Sequence, residues 1–360
     1  MKLLFKMNKG NLGKLIDVLI SGYRLFGPTK TNGLTGFAEI ESHDDLKLAS
    51  LNTEIPAKGI FFPQTDTIFD YTEKGIATSS TADKPVAIFG IRPCDAASLS
   101  ILNGVFNDGR YEDLYWSRRY DNALILTVGC NEPPRTCFCN WMNLGPFSTK
   151  GSDVFLTDLG DNLLVESCSE KGKRFLEASS DVGFQKPAQD DLRRGARAKE
   201  NAESLMSREV DVAQLKTALE RVWDSELWEE LSQKCLSCAA CTYLCPTCHC
   251  FDIQDERAPG ADRGRRIRIW DSCMFSLFTQ EASGHNPRST TKERLRQRIM
   301  HKFSYFPEDF GEIACVGCGR CVRSCPVNQD IREILKRIED EGQLLYSDTC
   351  EGSENKNRIG

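Results

Sequence analysis

The chain has 360 residues, enough for two or three domains with real cores. Its 40% hydrophobic and 27% charged residues are ordinary for a soluble globular protein, and no apolar run approaches membrane-spanning length. The net charge of −6 gives no global reason to bind nucleic acid, while 17 cysteines in a chain too long for a secreted disulfide scaffold point to metal ligands or redox groups.

Met1–Lys14 carries lysines, but no long apolar segment or cleavage site follows, so no signal peptide is read and a cytoplasmic location is expected. Gly33–Phe37, with two glycines in five positions, reads as a loop, and Lys58–Phe62 before Pro63 as a short strand or loop. No function is visible in this stretch. From Pro85 the pattern sharpens. Val86–Phe89 reads as a buried strand and Gly90–Cys94 as a turn. Asp95 then caps a helix over Ala96–Phe106, and Asn122–Val128 is a second strand. That order predicts a parallel βαβ unit. Val154–Leu156 and Leu163–Val165 flank Gly160-Asp161-Asn162 as a hairpin. Residues 185–208 turn polar and read as a surface linker or exposed helix. Leu215, Leu219, Val222, Trp223, Leu227 and Leu231 then recur at helical spacing, an amphipathic helix running into a cysteine run. Arg288, Lys292, Arg294, Arg296, Arg298 and Lys302 suggest a largely solvated basic helix. Asp330 and Glu333 match a capping box ahead of Ile331, Ile334, Leu335 and Ile338, and the tail after Ser347 reads as disordered.

The chemistry sits in a repeat. Cys235-x2-Cys238-x2-Cys241-x3-Cys245-Pro246 recurs as Cys315-x2-Cys318-x2-Cys321-x3-Cys325-Pro326. Three thiolates spaced by two residues wrap three corners of an iron–sulfur cubane, and in two-cluster ferredoxins the fourth cysteine reaches the other cluster. Cys235, Cys238, Cys241 and Cys325 are therefore assigned to one 4Fe-4S cluster, and Cys315, Cys318, Cys321 and Cys245 to a second. Structural zinc uses paired Cys-x2-Cys elements too, but gives no reason for the third cysteine, the x3 gap and the proline to recur. The 69 residues between the runs (246–314) and the flanking helical patterns predict a helical dicluster domain with a long insertion.

Cys94 and Cys130 fall at the carboxyl ends of the expected parallel strands, where open α/β sheets place ligands, and Cys137 and Cys139 follow in an irregular loop. These four are a candidate third cluster set; buried structural thiols are the bland alternative. Cys248, Cys250 and Cys273, with His249 among them, form an incomplete further set for iron–sulfur, zinc or simple packing. Cys168 and Cys350 have no companions. Arg92 and Asp95 are read as tuning groups for Cys94 or as a plain surface Arg and a cap. Arg263, Arg265, Arg266 and Arg268 are read as a solvated basic face, His285 and His301 as structural or exposed. No Walker loop or Gly-x-Gly-x-x-Gly fingerprint indicates a nucleotide site.

Together, Phe89-Gly-Ile-Arg-Pro-Cys-Asp-Ala-Ala-Ser-Leu99, Gly129-Cys-Asn-Glu-Pro-Pro-Arg-Thr-Cys-Phe-Cys139, Cys245-Pro-Thr-Cys-His-Cys-Phe251, Trp270-Asp-Ser-Cys-Met-Phe275 and Cys315-Val-Gly-Cys-Gly-Arg-Cys321 resemble the sulfhydrogenase β chain and the 4Fe-4S dicluster electron-transfer component of anaerobic sulfite reductase. The resemblance spans about residues 55–340. It implies an electron-transfer role between a catalytic partner, such as a hydrogenase, sulfite reductase or heterodisulfide-reductase-type module, and a flavin/NAD(P)-binding reductase subunit.

The expected architecture is α+β. An α/β domain over 1–185 with a short parallel sheet is followed by a polar linker at 186–210. A mainly helical dicluster domain over 211–345 and a disordered tail at 346–360 complete it. Bond-making by this chain itself is not expected, because no acid–base pair or substrate nucleophile stands out. The rival readings are a self-sufficient oxidoreductase with a substrate at Cys94/Cys130, and an iron–sulfur protein binding nucleic acid through 288–302.

Overall fold

The computed structural model describes residues 2–48, 52–77, 84–257, 259–260 and 262–356, with backbone only for Thr31 and for 347–356. Its centre is a seven-stranded mixed sheet. In chain order the strands are β1 (Leu4–Asn8), β2 (Arg24–Thr31), β3 (Leu34–Glu39), β6 (Val86–Ile91), β7 (Leu124–Val128), β8 (Val154–Asp158) and β9 (Asn162–Ser167). They lie in the order β1-β9-β8-β7-β6-β2-β3, with β2, β6, β7 and β8 mutually parallel and both edges antiparallel. A second sheet combines β4 (Thr65–Thr72) and β5 (Gly75–Ala77) with β10 (Phe251–Arg257) and β11 (Arg263–Trp270), in the order β10-β11-β4-β5. The insertion between the cysteine runs thus contributes a β ribbon that pairs with the amino-terminal half.

The central strands are apolar on both faces because helices cover both sides. Ala87, Phe89, Leu124 and Leu126 pack with helix α1 (Leu12–Gly22) and α4 (Glu170–Ala178), while Ile88, Ile91 and Ile125 face α2 (Pro93–Phe106) and α3 (Leu114–Tyr120). Strict alternation would turn Ile91 toward the α1 side. A register shift at Gly90, whose φ is +78°, turns it to the α2 side instead and re-aims the residues that follow.

The carboxyl-terminal half is mainly helical. Its core gathers Leu215, Leu219, Trp228, Leu231, Ile299, Phe303, Ile334, Leu335 and Ile338. These come from α6 (Val212–Arg221), α7 (Leu227–Ser232), α9 (Thr291–Met300) with the π turn His301–Tyr305, and α12 (Ile331–Lys356). The exposed segment after residue 185 is helix α5 (Gln189–Ser204).

Several local expectations change. Leu34–Phe37 is part of strand β3, the turn being confined to Asn32-Gly33, both at positive φ. Ala57–Ile60 is a 3-10 turn rather than a strand. Helix α2 starts at Pro93 after an Arg92 cap, so Asp95 lies inside its first turn and is not the cap. The amphipathic helix after 211 breaks at Val222–Glu226. In the basic segment Arg294, Arg298 and Lys302 are buried, so it is not a solvated helix. The tail expected beyond Ser347 falls where only helix backbone to Lys356 is described; residues 357–360 and the Cys350 side chain lie outside the described residues. Among the described residues no helix is long and apolar enough to cross a membrane.

Candidate metal centres

The two cysteine runs share one backbone path. Ser237 and Ala239 have φ of 54° and 64°, and their counterparts Gly317 and Gly319 have φ of 61° and 73°. Each loop then enters one short helical turn, α8 (Ala240–Tyr243) or α11 (Arg320–Arg323), before the fourth cysteine. Alternating right- and left-handed residues make a nest that points successive amides inward, as an anionic group requires. Two non-glycine residues holding that shape in the first run indicate that the surroundings impose it.

Three cavities ringed by cysteine sit beside these loops. Cys235, Cys238, Cys241 and Cys325 line the first, with Cys321 on its far wall. Cys245, Cys315, Cys318 and Cys321 line the second. Cys94, Cys130, Cys137 and Cys139 line the third, with Cys318 as a shared wall. The fourth cysteine of each run therefore lies with the opposite run. The four scattered cysteines of the α/β half come together at the carboxyl ends of β6 and β7.

The third cavity is bolted to the second run. Gly317 and Gly319 pass so close to the 136–139 loop that a Cβ would stand 2.4 Å from the Phe138 carbonyl and 2.6 Å from the Thr136 oxygen. Phe138 N–H donates to Gly317 O at 2.8 Å. Asp95 and Arg320 form a two-pronged ion pair at 2.6 and 2.7 Å, with only 2% and 1% of their side chains exposed. Arg320 also donates to Thr53 O. Arg92, likewise buried, donates to Gly129 O at 2.8 Å and leans toward Cys130. Asp95 and Arg92 are thus buried structural groups of this site and not a cap and a surface charge.

Burial pushes the thiols up, Cys137 and Cys315 to about 12 and Cys94 well above its ordinary value. Against them stand buried cations. Lys302 is 3% exposed and donates to Cys245 Sγ at 3.4 Å, Thr247 Oγ1 and Ala314 O. Burial opposes its charge, yet the Cys245 thiolate holds its pKa above the lysine norm. Arg298, 5% exposed, reaches Cys241 O, and its Nε has no hydrogen-bond partner in the described structure. Among the described residues neither cation pairs with a carboxylate. A buried charge without an anion is costly by several kcal/mol, about 3–5 when a pair is broken, so these side chains fit a negatively charged group held by the thiolates.

Cys248, Cys250 and Cys273 do not converge on one point. Cys248 is hydrogen-bonded to Cys245 and Cys250 to Cys273. The Cys273 contact, opposed by burial, holds Cys250 down at about 6. Among the described residues no three Cys, His, Asp or Glu side chains gather around a single ion. His249 and His301 meet edge to face, both pack against Phe306 with tilted or edge-on rings, and burial lowers both to about 4. His285 is exposed. Cys168, raised by burial to about 12, lies apart from the cavities against Glu166. Of the basic ribbon, Arg265 and Arg266 make exposed pairs with Glu256 and Asp255. Arg268 instead is buried between Asp66 and Asp113 and stacks over Phe62.

Several site residues carried no signal in the sequence. Asn52 donates to Cys318 O at 2.9 Å and touches Cys94 Sγ at 3.9 Å, and Lys58, 2% exposed, donates to Cys248 O at 2.8 Å. Both come from the stretch that looked functionless. For Lys302 and Arg298 a hint existed, since Leu295, Ile299 and Phe303 interleave with them at helical spacing and mark a half-buried helix.

Comparison with known proteins bears on the cysteine runs and on the family of the chain. Residues 234–329 fit the family model described as a 4Fe-4S dicluster domain. The chain is 32% identical over 317 residues to sulfhydrogenase 2 subunit beta of Pyrococcus furiosus, covering 88% of this chain and 92% of that one. It is 23% identical over 188 residues to the F420-dependent formate dehydrogenase subunit beta of Methanocaldococcus jannaschii, covering 51% of this chain and 40% of that one. Extent and identity of the first match, with the dicluster fit, place this chain in the sulfhydrogenase β-subunit family, as an iron–sulfur electron-transfer subunit of an oxidoreductase.

Proposed function

We propose that the chain relays single electrons through three adjoining 4Fe-4S clusters. Cys235, Cys238, Cys241 and Cys325 hold the first; Cys245, Cys315, Cys318 and Cys321 the second; Cys94, Cys130, Cys137 and Cys139 the third. The observation that carries this is the row of three cysteine-ringed cavities with common walls at Cys321 and Cys318, so that each neighbours the next. Bound clusters supply reversible one-electron chemistry whose potential follows ligand type, hydrogen bonding and exposure. The chain's own residues hold the thiolates, aim backbone amides and the Lys302 and Arg298 cations at them, and limit water.

The first site opens to the surface at Leu236 and Cys238, both exposed, and this supports it as a port for a partner. On this reading one partner is a flavin/NAD(P)-binding reductase subunit. The other is a catalytic redox subunit, for which the relatives' names favour a hydrogenase or formate-dehydrogenase type over the sulfite reductase and heterodisulfide-reductase alternatives. The third cluster set is also the strongest argument against a substrate site at Cys94/Cys130. The domain division at residues 186–210 is retained as a proposal, bridged by the β4–β11 pairing.

Iron and acid-labile sulfide analysis of anaerobically prepared protein tests the count. About twelve irons per chain are expected, about eight leave only the dicluster, and zinc without sulfide defeats the relay. Cys130→Ala is expected to remove about four irons and one EPR signal while leaving the dicluster signals.

A further inference from the structure

We propose that Cys250 and Cys273 are a redox-active dithiol that closes to a disulfide, a two-electron store beside the one-electron relay. The cysteines meet for a topological reason. Phe251 and Trp270 are the last paired residues of the β10–β11 ribbon, and Asp271 N–H donates to Cys250 O at 3.0 Å just beyond them. The turn that follows is pinned by Ser272, whose N–H donates to Asp271 Oδ1 at 2.7 Å and whose Oγ meets Thr242 Oγ1 at 2.8 Å. That brings Cys273 onto Cys250, where the two side chains share a hydrogen bond and Cys273 N–H also points at the Cys250 sulfur. Contacting thiols on a fixed ribbon base need little movement to bond.

The surroundings suit exchange chemistry. Lys302 brings a buried positive charge to the pair, and Lys58, whose pKa burial draws down, stands beside it, a field that favours thiolate, the reactive form. Lys58 is held in place over the Trp270 ring at 4.1 Å and by Cys248 O. Cys248 in turn touches Cys245, a ligand of the second proposed cluster, so a chain of thiols links the pair to the relay. Because Cys248 is taken up by Cys245, the three cysteines that the sequence left open to a metal site or to simple packing are divided two ways, and the geometry favours the dithiol.

The step balances. From a Cys250 thiolate and a Cys273 thiol, one S–S bond forms and the S–H bond breaks. The proton leaves to water, which reaches both partly exposed residues. The two electrons would leave singly, and two oxidised 4Fe-4S clusters, held by the neighbouring thiolates, would each accept one. The reverse opens the disulfide. The inference rests on the cluster reading only for where the electrons go.

The test uses the full chain with its clusters, poised oxidised and then reduced with methyl viologen, each sample alkylated and digested for mass spectrometry. A linked peptide joining Cys250 to Cys273 is expected in the oxidised sample and not in the reduced one. In reductive titration, Cys250→Ser and Cys273→Ser should each accept two electrons fewer than wild type, with cluster EPR signals unchanged as evidence of folding. Alkylation of both thiols at every potential overturns the proposal. So does loss of bound iron or zinc in either variant, which would make this a metal site. Should the protein lack iron and sulfide, the relay fails separately. The pair is then scored with diamide and dithiothreitol: a reversible 250–273 crosslink sustains it, and its absence overturns it.

Discussion

At the scale of single residues, the decisive groups are buried charges. The Asp95–Arg320 pair is almost wholly desolvated and spans the junction between the second run and the third cysteine set. Asp95→Ala leaves the guanidinium uncompensated, and a loss of about 3–5 kcal/mol is expected in chemical denaturation of the iron-loaded protein. The exposed Asp255–Arg266 pair serves as control, where Asp255→Ala should cost under about 1 kcal/mol. Lys302 acts on redox properties more than on folding. Its ammonium favours the more negative, reduced state of a group held by Cys245 and Cys315. Lys302→Met should therefore lower one cluster potential in an EPR-monitored titration, and an unshifted potential would remove Lys302 from the tuning groups.

At the scale of elements, the cysteine loops work because their backbones can approach other backbones. Gly317 at φ +61° lies against Phe138 and Cys139, where a side chain meets main chain rather than a flexible tip. An L residue there costs about 1–2 kcal/mol for the left-handed conformation alone, before the contact is counted. Gly317→Ala should lower the melting temperature and the iron content of the third site together. Gly104, inside α2 with open space around its Cβ position, is the counter-example. Gly104→Ala should stabilise by roughly 0.5–1 kcal/mol. The ribbon β10–β11 is fastened to the amino-terminal half by strand pairing with β4 and by Arg268 between Asp66 and Asp113. That fastening carries Cys250 and Cys273 to the edge of the proposed relay.

At the scale of the whole molecule, metal loading and protonation oppose each other. The buried thiols keep their protons far above neutral pH, with Cys137 and Cys315 pushed to about 12, so thiolate ligation must expel protons. Proton release on binding means that loading strengthens as pH rises and weakens as it falls. Iron release into a chelator should therefore accelerate steadily on acidification below neutrality, followed by loss of the visible cluster absorbance. A pH-independent release rate would contradict ligation by these thiols. The same coupling makes the metal part of the fold. The iron-stripped chain should melt well below the loaded one, because Arg298 and Lys302 then lie buried without a counter-anion.

What the sequence determined by itself was local and periodic. The doubled Cys-x2-Cys-x2-Cys-x3-Cys-Pro run named its chemistry because ligand spacing is a property of a short loop, and β6, β7, α2 and the β8–β9 hairpin were legible from apolar patterning over a few residues. The tertiary structure alone decided which distant pieces meet. It brought Cys94 and Cys130 from two strand ends together with Cys137 and Cys139 from a loop, and set Asn52 and Lys58 of a featureless segment against the cysteine runs. It also reversed the reading of Arg268, Arg298 and Lys302, each charged and so expected outside. A side chain's charge does not reveal the anion that awaits it. That depends on contacts between residues up to 271 positions apart, and no local pattern records them.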